Sequence, residues 1–90
     1  KASSAEFKEN IKEWNYDALN VIANELQLYS YNYKSDSEKI INHGPIIGTG
    51  YKTPVEFIHN NGIDTNEMLS WAFRAIQQLN EKIEVLENGK

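Results

Sequence analysis

The sequence predicts an α+β fold: short helices and a small antiparallel sheet, followed by one long C-terminal helix with a coiled-coil-like seam. Three observations carry this expectation. Thr65 to Asn88 contains no Gly or Pro and repeats apolar residues at heptad spacing, as a long self-associating helix requires. Tyr29, Tyr31 and Tyr33 alternate with Leu28, Ser30 and Asn32, which is the period of a strand. Gly, Pro and Asn recur from His43-Gly44-Pro45 to Asn61-Gly62, so the elements between them are short.

In chain order, residues 1–13 are polar and mixed, with Phe7 and Ile11 as an i, i+4 apolar pair. They predict a short extended lead and then a helical turn. Asn15 or Asp17 can cap a short helix whose apolar positions are Leu19, Ile22, Ala23 and Leu26. Gln27 to Lys34 is the strand of alternating tyrosines, and Ser35-Asp36-Ser37 is a turn. A second short strand is expected through Ile40-Ile41, with His43-Gly44-Pro45 ending it and Ile46-Ile47 resuming a strand into Gly48-Thr49-Gly50. Thr53-Pro54 puts proline in the first turn of a helix that packs Val55, Phe57 and Ile58 inward. Asn61-Gly62 ends that helix, since both residues tolerate the left-handed conformation.

The last helix is the clearest element. Asp64 and Glu67 have capping-box spacing, with Asp in the place of Ser or Thr, and Asn88-Gly89 is the stop. The span 64–88 gives about 24 helical residues and roughly 36 Å of length. Leu69, Ala72, Ile76, Leu79, Ile83 and Leu86 fall on a and d positions, and Lys82 and Glu87 have g–e′ spacing for an interchain ion pair. Met68, Trp71, Phe73 and Ala75 widen the early apolar face, as packing within the domain would. After Ile76 the stripe narrows to a and d, as self-association would. Ile at a and Leu at d, taken alone, lean toward two strands.

Composition excludes several function classes. The 90 residues make one domain, 1–90, with a thin core that favours oligomerisation. With no cysteine, thiol nucleophiles, disulfides and cysteine-held metals are all out. A net charge of −4 and no basic cluster argue against a nucleic-acid partner, and no apolar run approaches a membrane span. His43 and His59 have no acidic partner at ligand spacing, and Gly44, Gly48 and Gly50 do not form a phosphate loop, so no metal and no cofactor are expected. The tyrosine stripe reads as the packed face of a small sheet more readily than as a stacking platform, and Trp14 and Trp71 read as core or interface.

One pair of residues carries chemistry. Ser3 and Lys8 are five apart, so a turn can bring the amine to the hydroxyl, and a lysine that loses its proton can activate a serine. Such a pair is common in polar stretches, and by itself it reads as a solvated tail. Glu6 and Glu9 read as a solvated face, although either can orient Lys8.

Order along the chain adds a resemblance. Ser3-Ser4-Ala5-Glu6-Phe7-Lys8-Glu9-Asn10-Ile11-Lys12 is similar to the opening of the C-terminal intramolecular chaperone domain of phage tail fibres, tailspikes and neck appendages, the peptidase S74 family. That opening is a Ser, a Lys five residues on, then Asn-Ile. Asp17-Ala18-Leu19 to Tyr29-Ser30-Tyr31-Asn32-Tyr33 resembles the family's next helix and strand. Ile46-Ile47-Gly48 with Thr53-Pro54-Val55-Glu56-Phe57-Ile58 resembles its Gly-rich strand and proline-led turn. Gly62-Ile63-Asp64, Met68-Leu69 and Ala75 to Ile83 with Leu86 resemble its terminal helix. The chain departs from the family at Ser4, where many members carry an acid, and at Glu6, where many carry a base.

The resemblance implies a trimerising, folding chaperone at the C-terminus of a fibre or spike, made in the bacterial host cytoplasm and released from the mature virion fibre by self-cleavage. It implies a homotrimer whose folding client is the upstream part of the same chain. Carried onto this sequence, the cut falls at Ala2–Ser3, with Ser3 as nucleophile, Lys8 as general base, and Lys1-Ala2 as the stub before it. The alternative is a structural trimerisation tip that never cuts, or a receptor-binding tip that uses the tyrosines.

Overall fold

Two aspartates set the helix starts. The structure, a computed structural model, describes residues 2–89, so Lys1 of the expected stub lies outside the described residues. Helix α1 spans Ala18–Glu25, and its N-cap Asp17 accepts the Asn20 N–H at 3.1 Å. Helix α2 spans Thr65–Asn88, its N-cap Asp64 accepts the Glu67 N–H at 3.0 Å, and Gly89 caps the end. The capping box is one-sided. The Glu67 carboxylate accepts the Trp71 indole N–H at 3.1 Å instead of reaching back, and the Asp64 N–H donates to the Phe57 carbonyl at 2.8 Å. The box thus ties the helix start to the core instead of closing on itself.

The two helices pack on each other around a small core of Ala18, Val21, Phe57 and Trp71, with Ile22, Leu26 and Met68 against it. The inward face of α1 is rotated from the expected one: Ala18 and Val21 are buried, Leu19 is half-buried and Ala23 is exposed. The reason is local. The Leu19 N–H donates to the Gln78 side chain at 2.8 Å, which draws the first turn of α1 onto α2 along its small residue, Ala18. Phe57 is fully buried and edge-on to Trp71. Phe57→Ala is expected to destabilise the domain by about 3–5 kcal/mol. In thermal unfolding that is a fall of more than about 12 °C for a domain this size, and a fall below about 4 °C would show that the core is not centred there.

The small sheet is two separate antiparallel ribbons. Strand β1 (Tyr29–Tyr31) pairs with β2 (Asn42–Gly44) in the register Tyr29↔Gly44, Ser30↔His43, Tyr31↔Asn42. The expected strand through Ile40-Ile41 does not form. The Asp36 carboxylate accepts the N–H groups of Glu38 and Ile40 at 3.0 and 2.9 Å, and Lys39 is left-handed, so pairing starts only at Asn42. His43 and Gly44 are therefore strand, not punctuation. Ile46 and Ile47 form no strand; the Ile46 carbonyl accepts the Thr53 hydroxyl at 2.7 Å and both side chains are half-buried.

The proline-led helix is a single 3-10 turn, Val55–Phe57, with Phe57 inward and Val55 exposed. Asn60 and Asn61, with φ of 50° and 60°, make the mirror-image two-residue turn of a hairpin. They join β3 (Ile58–His59) to β4 (Gly62–Ile63), so the left-handed pair closes a hairpin and does not end a helix.

One chain does not enclose itself. Its accessible surface is 7584 Å², against about 5,400 Å² for a compact monomer of this mass. Its radius of gyration is 16.9 Å, against about 12 Å for a compact domain of this length.

Candidate functional site

Ser3 and Lys8 flank one short turn. Ala5–Phe7 is a 3-10 turn in which Phe7 N–H donates to the Ser4 carbonyl at 3.0 Å and Lys8 N–H to the Ala5 carbonyl at 3.2 Å. With only about 2 Å of rise per residue, the turn shortens the path between the residues that flank it. The Lys8 amine donates to Ser3 Oγ at 2.9 Å. The expected turn thus follows the serine directly, and Asn10, at φ 54°, breaks the path before Ile11. Phe7 and Ile11 form no helical pair, and both are exposed.

The two neighbouring serines have different work. Ser4 Oγ caps the turn, accepting the Glu6 N–H at 3.4 Å, while Ser3 Oγ takes the lysine. Among the described residues the one ion pair joins Arg74 and Glu81, so neither Glu6 nor Glu9 pairs with Lys8. Ala2, Ser3 and Lys8 are all exposed. In this form the amine is the donor. For the hydroxyl to lose its proton the direction must reverse, and exclusion of water favours the neutral amine that reversal needs.

The lead is rooted on α2. Trp14 and Tyr16 stack in parallel with ring centroids 6.4 Å apart, and both meet Trp71 edge-on at 5.2 and 5.3 Å. Arg74 donates to the carbonyls of Tyr16 and Asn15 at 3.1 and 3.4 Å. Gln78, one turn on, donates to the Asp17 carboxylate at 2.9 Å. The hydrogen bonds from Gln78 and from the Asn20 N–H hold the Asp17 carboxyl below its ordinary pKa.

The heptad positions lie elsewhere on the same helix. Trp71, Ala75 and Gln78 face the domain, while Ala72, Ile76, Leu79 and Ile83 stand about 100° round the helix. Leu69, Ile76, Leu79, Ile83 and Leu86 are between 46% and 70% exposed, and Ala72 is half-buried. The early widening at Met68, Trp71 and Ala75 is the intradomain face; Phe73 is exposed.

The remaining candidates are dispersed. His43 and His59 sit exposed on different ribbons. Tyr29 and Tyr31 are half-buried and Tyr33 is exposed; their rings pair edge-on with Tyr51 and with each other. Among the described residues no helix is long and apolar enough to cross a membrane.

A family model, Peptidase_S74, described as chaperone of endosialidase, matches residues 3–48, just over half of the chain. The chain belongs to the chaperone of endosialidase family. No curated protein and no solved structure matches it.

In this chaperone-family chain the matched span opens on Ser3 itself and includes Lys8, α1 and the first ribbon. It ends at Gly48, so the second ribbon and α2 lie outside it. Sequence reasoning missed Arg74 and Gln78, which fix the lead to α2. Their only trace in the sequence is an i, i+4 polar pair beside the apolar stripe, and nothing there names partners some 60 residues away.

Proposed function

We propose that this chain is the C-terminal trimerisation and folding chaperone of a phage fibre or spike, and that it frees itself by cutting Ala2–Ser3. The observation that carries the reading is the 2.9 Å hydrogen bond from Lys8 to Ser3 Oγ, at the first residue of the family match. Lys8, once neutral, takes the Ser3 hydroxyl proton. Oγ attacks the Ala2 carbonyl carbon, the C–N bond to Ser3 breaks, and Lys8 returns the proton to the Ser3 nitrogen. Ala2 is then an ester on Ser3, and water hydrolyses it to leave a carboxylate and a free Ser3. Nucleophile and scissile bond share one residue, so proximity supplies much of the rate.

Self-association is supported by the exposed seam and by about 2,200 Å² of surface beyond that of a compact monomer. The family resemblance selects three copies. The upstream region of the same chain is the folding client, and the released domain leaves the mature fibre.

The test is the mass of the chain expressed with its natural upstream region. A fragment beginning at Ser3 is expected, and the isolated domain should sediment at close to three times 10.4 kDa. A trimer that stays full length would instead support the structural tip. A monomer at high concentration would remove both readings.

A further inference from the structure

We propose that Arg74, seconded by Gln78, is a positioning residue for the self-cleavage: it roots the lead that carries Ser3 and Lys8 beside the exposed seam of α2. The inference rests on the Ser3–Lys8 reading above.

Four side-chain hydrogen bonds, two from each residue, fix positions 15–19 to α2. The Arg74 side chain is only 14% exposed, and its third nitrogen lies 3.6 Å from Glu81. Two prongs of its fork sit on main-chain carbonyls that precede α1. The Tyr16 carbonyl also accepts the Ala18 N–H at 2.9 Å, so Arg74 binds where the lead enters α1. A lysine ammonium at this place is a single point and cannot span both. Arg74 touches neither Ser3 nor Lys8, so its influence is mechanical.

The root matters because of what it stands next to. Glu13, Trp14 and Asn15 on the lead, with Ile76, Gln77 and Asn80 on α2, line one groove of about 780 Å³. Ile76 is a seam residue, so the root of the lead borders the surface that neighbouring copies would cover. Lys8 lies six positions before Trp14, a tether of at most about 22 Å. A fixed root keeps the exposed dyad within that radius of the assembled seam, where water can be excluded from the amine. A loose root lets the dyad sample bulk solvent and lowers its effective concentration at the seam.

The experiment uses the chain with its upstream region and compares wild type, Arg74→Ala and Arg74→Lys. Arg74→Ala is expected to sediment as a trimer and to cut roughly tenfold to a hundredfold more slowly. Arg74→Lys should recover only part of the rate. Millimolar guanidinium ion should partly restore cutting by Arg74→Ala, which it would not do for a folding defect. If Arg74→Ala fails to assemble, Arg74→Lys decides by the same comparison. A trimeric variant that cuts at the wild-type rate overturns the positioning role alone. A slow variant with no response to guanidinium and no gain from lysine overturns it as well. A trimeric wild-type chain that never cuts overturns the dyad reading, and the positioning role with it.

Discussion

Ser3→Ala leaves the extended chain full length at every time point. Removing the nucleophile of a serine mechanism costs a factor on the order of 10⁶, so no fragment should accumulate over days. Lys8→Ala removes the base and should slow cutting by about 10²–10⁴. Lys8→Arg is the sharper variant. It keeps a donor near Ser3 Oγ, where the lysine now sits at 2.9 Å, but a guanidinium stays protonated and cannot accept the hydroxyl proton. It should therefore fail as completely as Lys8→Ala. Ser4→Ala should still cut, because Ser4 Oγ only caps the turn, at a long 3.4 Å. Intact mass spectrometry over time reads all four. Normal cutting by Ser3→Ala would sink the assignment, and normal cutting by Lys8→Arg would show that the amine acts as a donor and not as a base.

Ile76→Asp with Ile83→Asp should dissociate the assembly and stop the cutting together. Both residues are more than half exposed in the single chain, and neither belongs to the core. The double variant should therefore keep its helical circular dichroism and sediment at close to 10.4 kDa. In the assembled seam the same two changes would bury like charges on every copy. Cutting should fall at least as far as in Lys8→Ala if cover by an assembled neighbour is what takes water from the amine, since Ser3 and Lys8 are exposed in the single chain. A chaperone gains from this order, since release before assembly would free the client unfolded. Efficient cutting by a demonstrably monomeric double variant would show that the dyad is complete within one chain and that assembly does not gate it.

Legibility in the sequence followed the range of the forces involved. The caps at Asp17 and Asp64, the 24-residue helix and its stop at Gly89 were readable because each depends on residues within one turn. The Ser3–Lys8 approach was readable for the same reason: five residues and one turn settle it. The strand through Ile40-Ile41 was not. Period and β-branching favour it, but two hydrogen bonds from one Asp36 carboxylate hold that backbone in a loop. The proline-led helix failed similarly. After Val55–Phe57 the chain enters a ribbon closed by left-handed Asn60 and Asn61, and the Phe57 carbonyl is taken by Asp64.

What the sequence determined by itself was the inventory: a long helix with an exposed apolar stripe, a tyrosine strand, and a serine and a lysine five residues apart. Each follows from local periodicity or from spacing, which the backbone geometry of a turn or helix converts directly into position. Tertiary structure decided which face of α2 is covered within the chain. Trp71, Ala75 and Gln78 turn to α1 and the lead, and Ile76, Leu79 and Ile83 are left facing out. It also decided that Arg74 holds the carbonyls of Asn15 and Tyr16. The early widening at Met68, Trp71 and Ala75 marks the covered face in the sequence, but what covers it is not legible there, because the element that packs on it lies some 60 residues away in the chain.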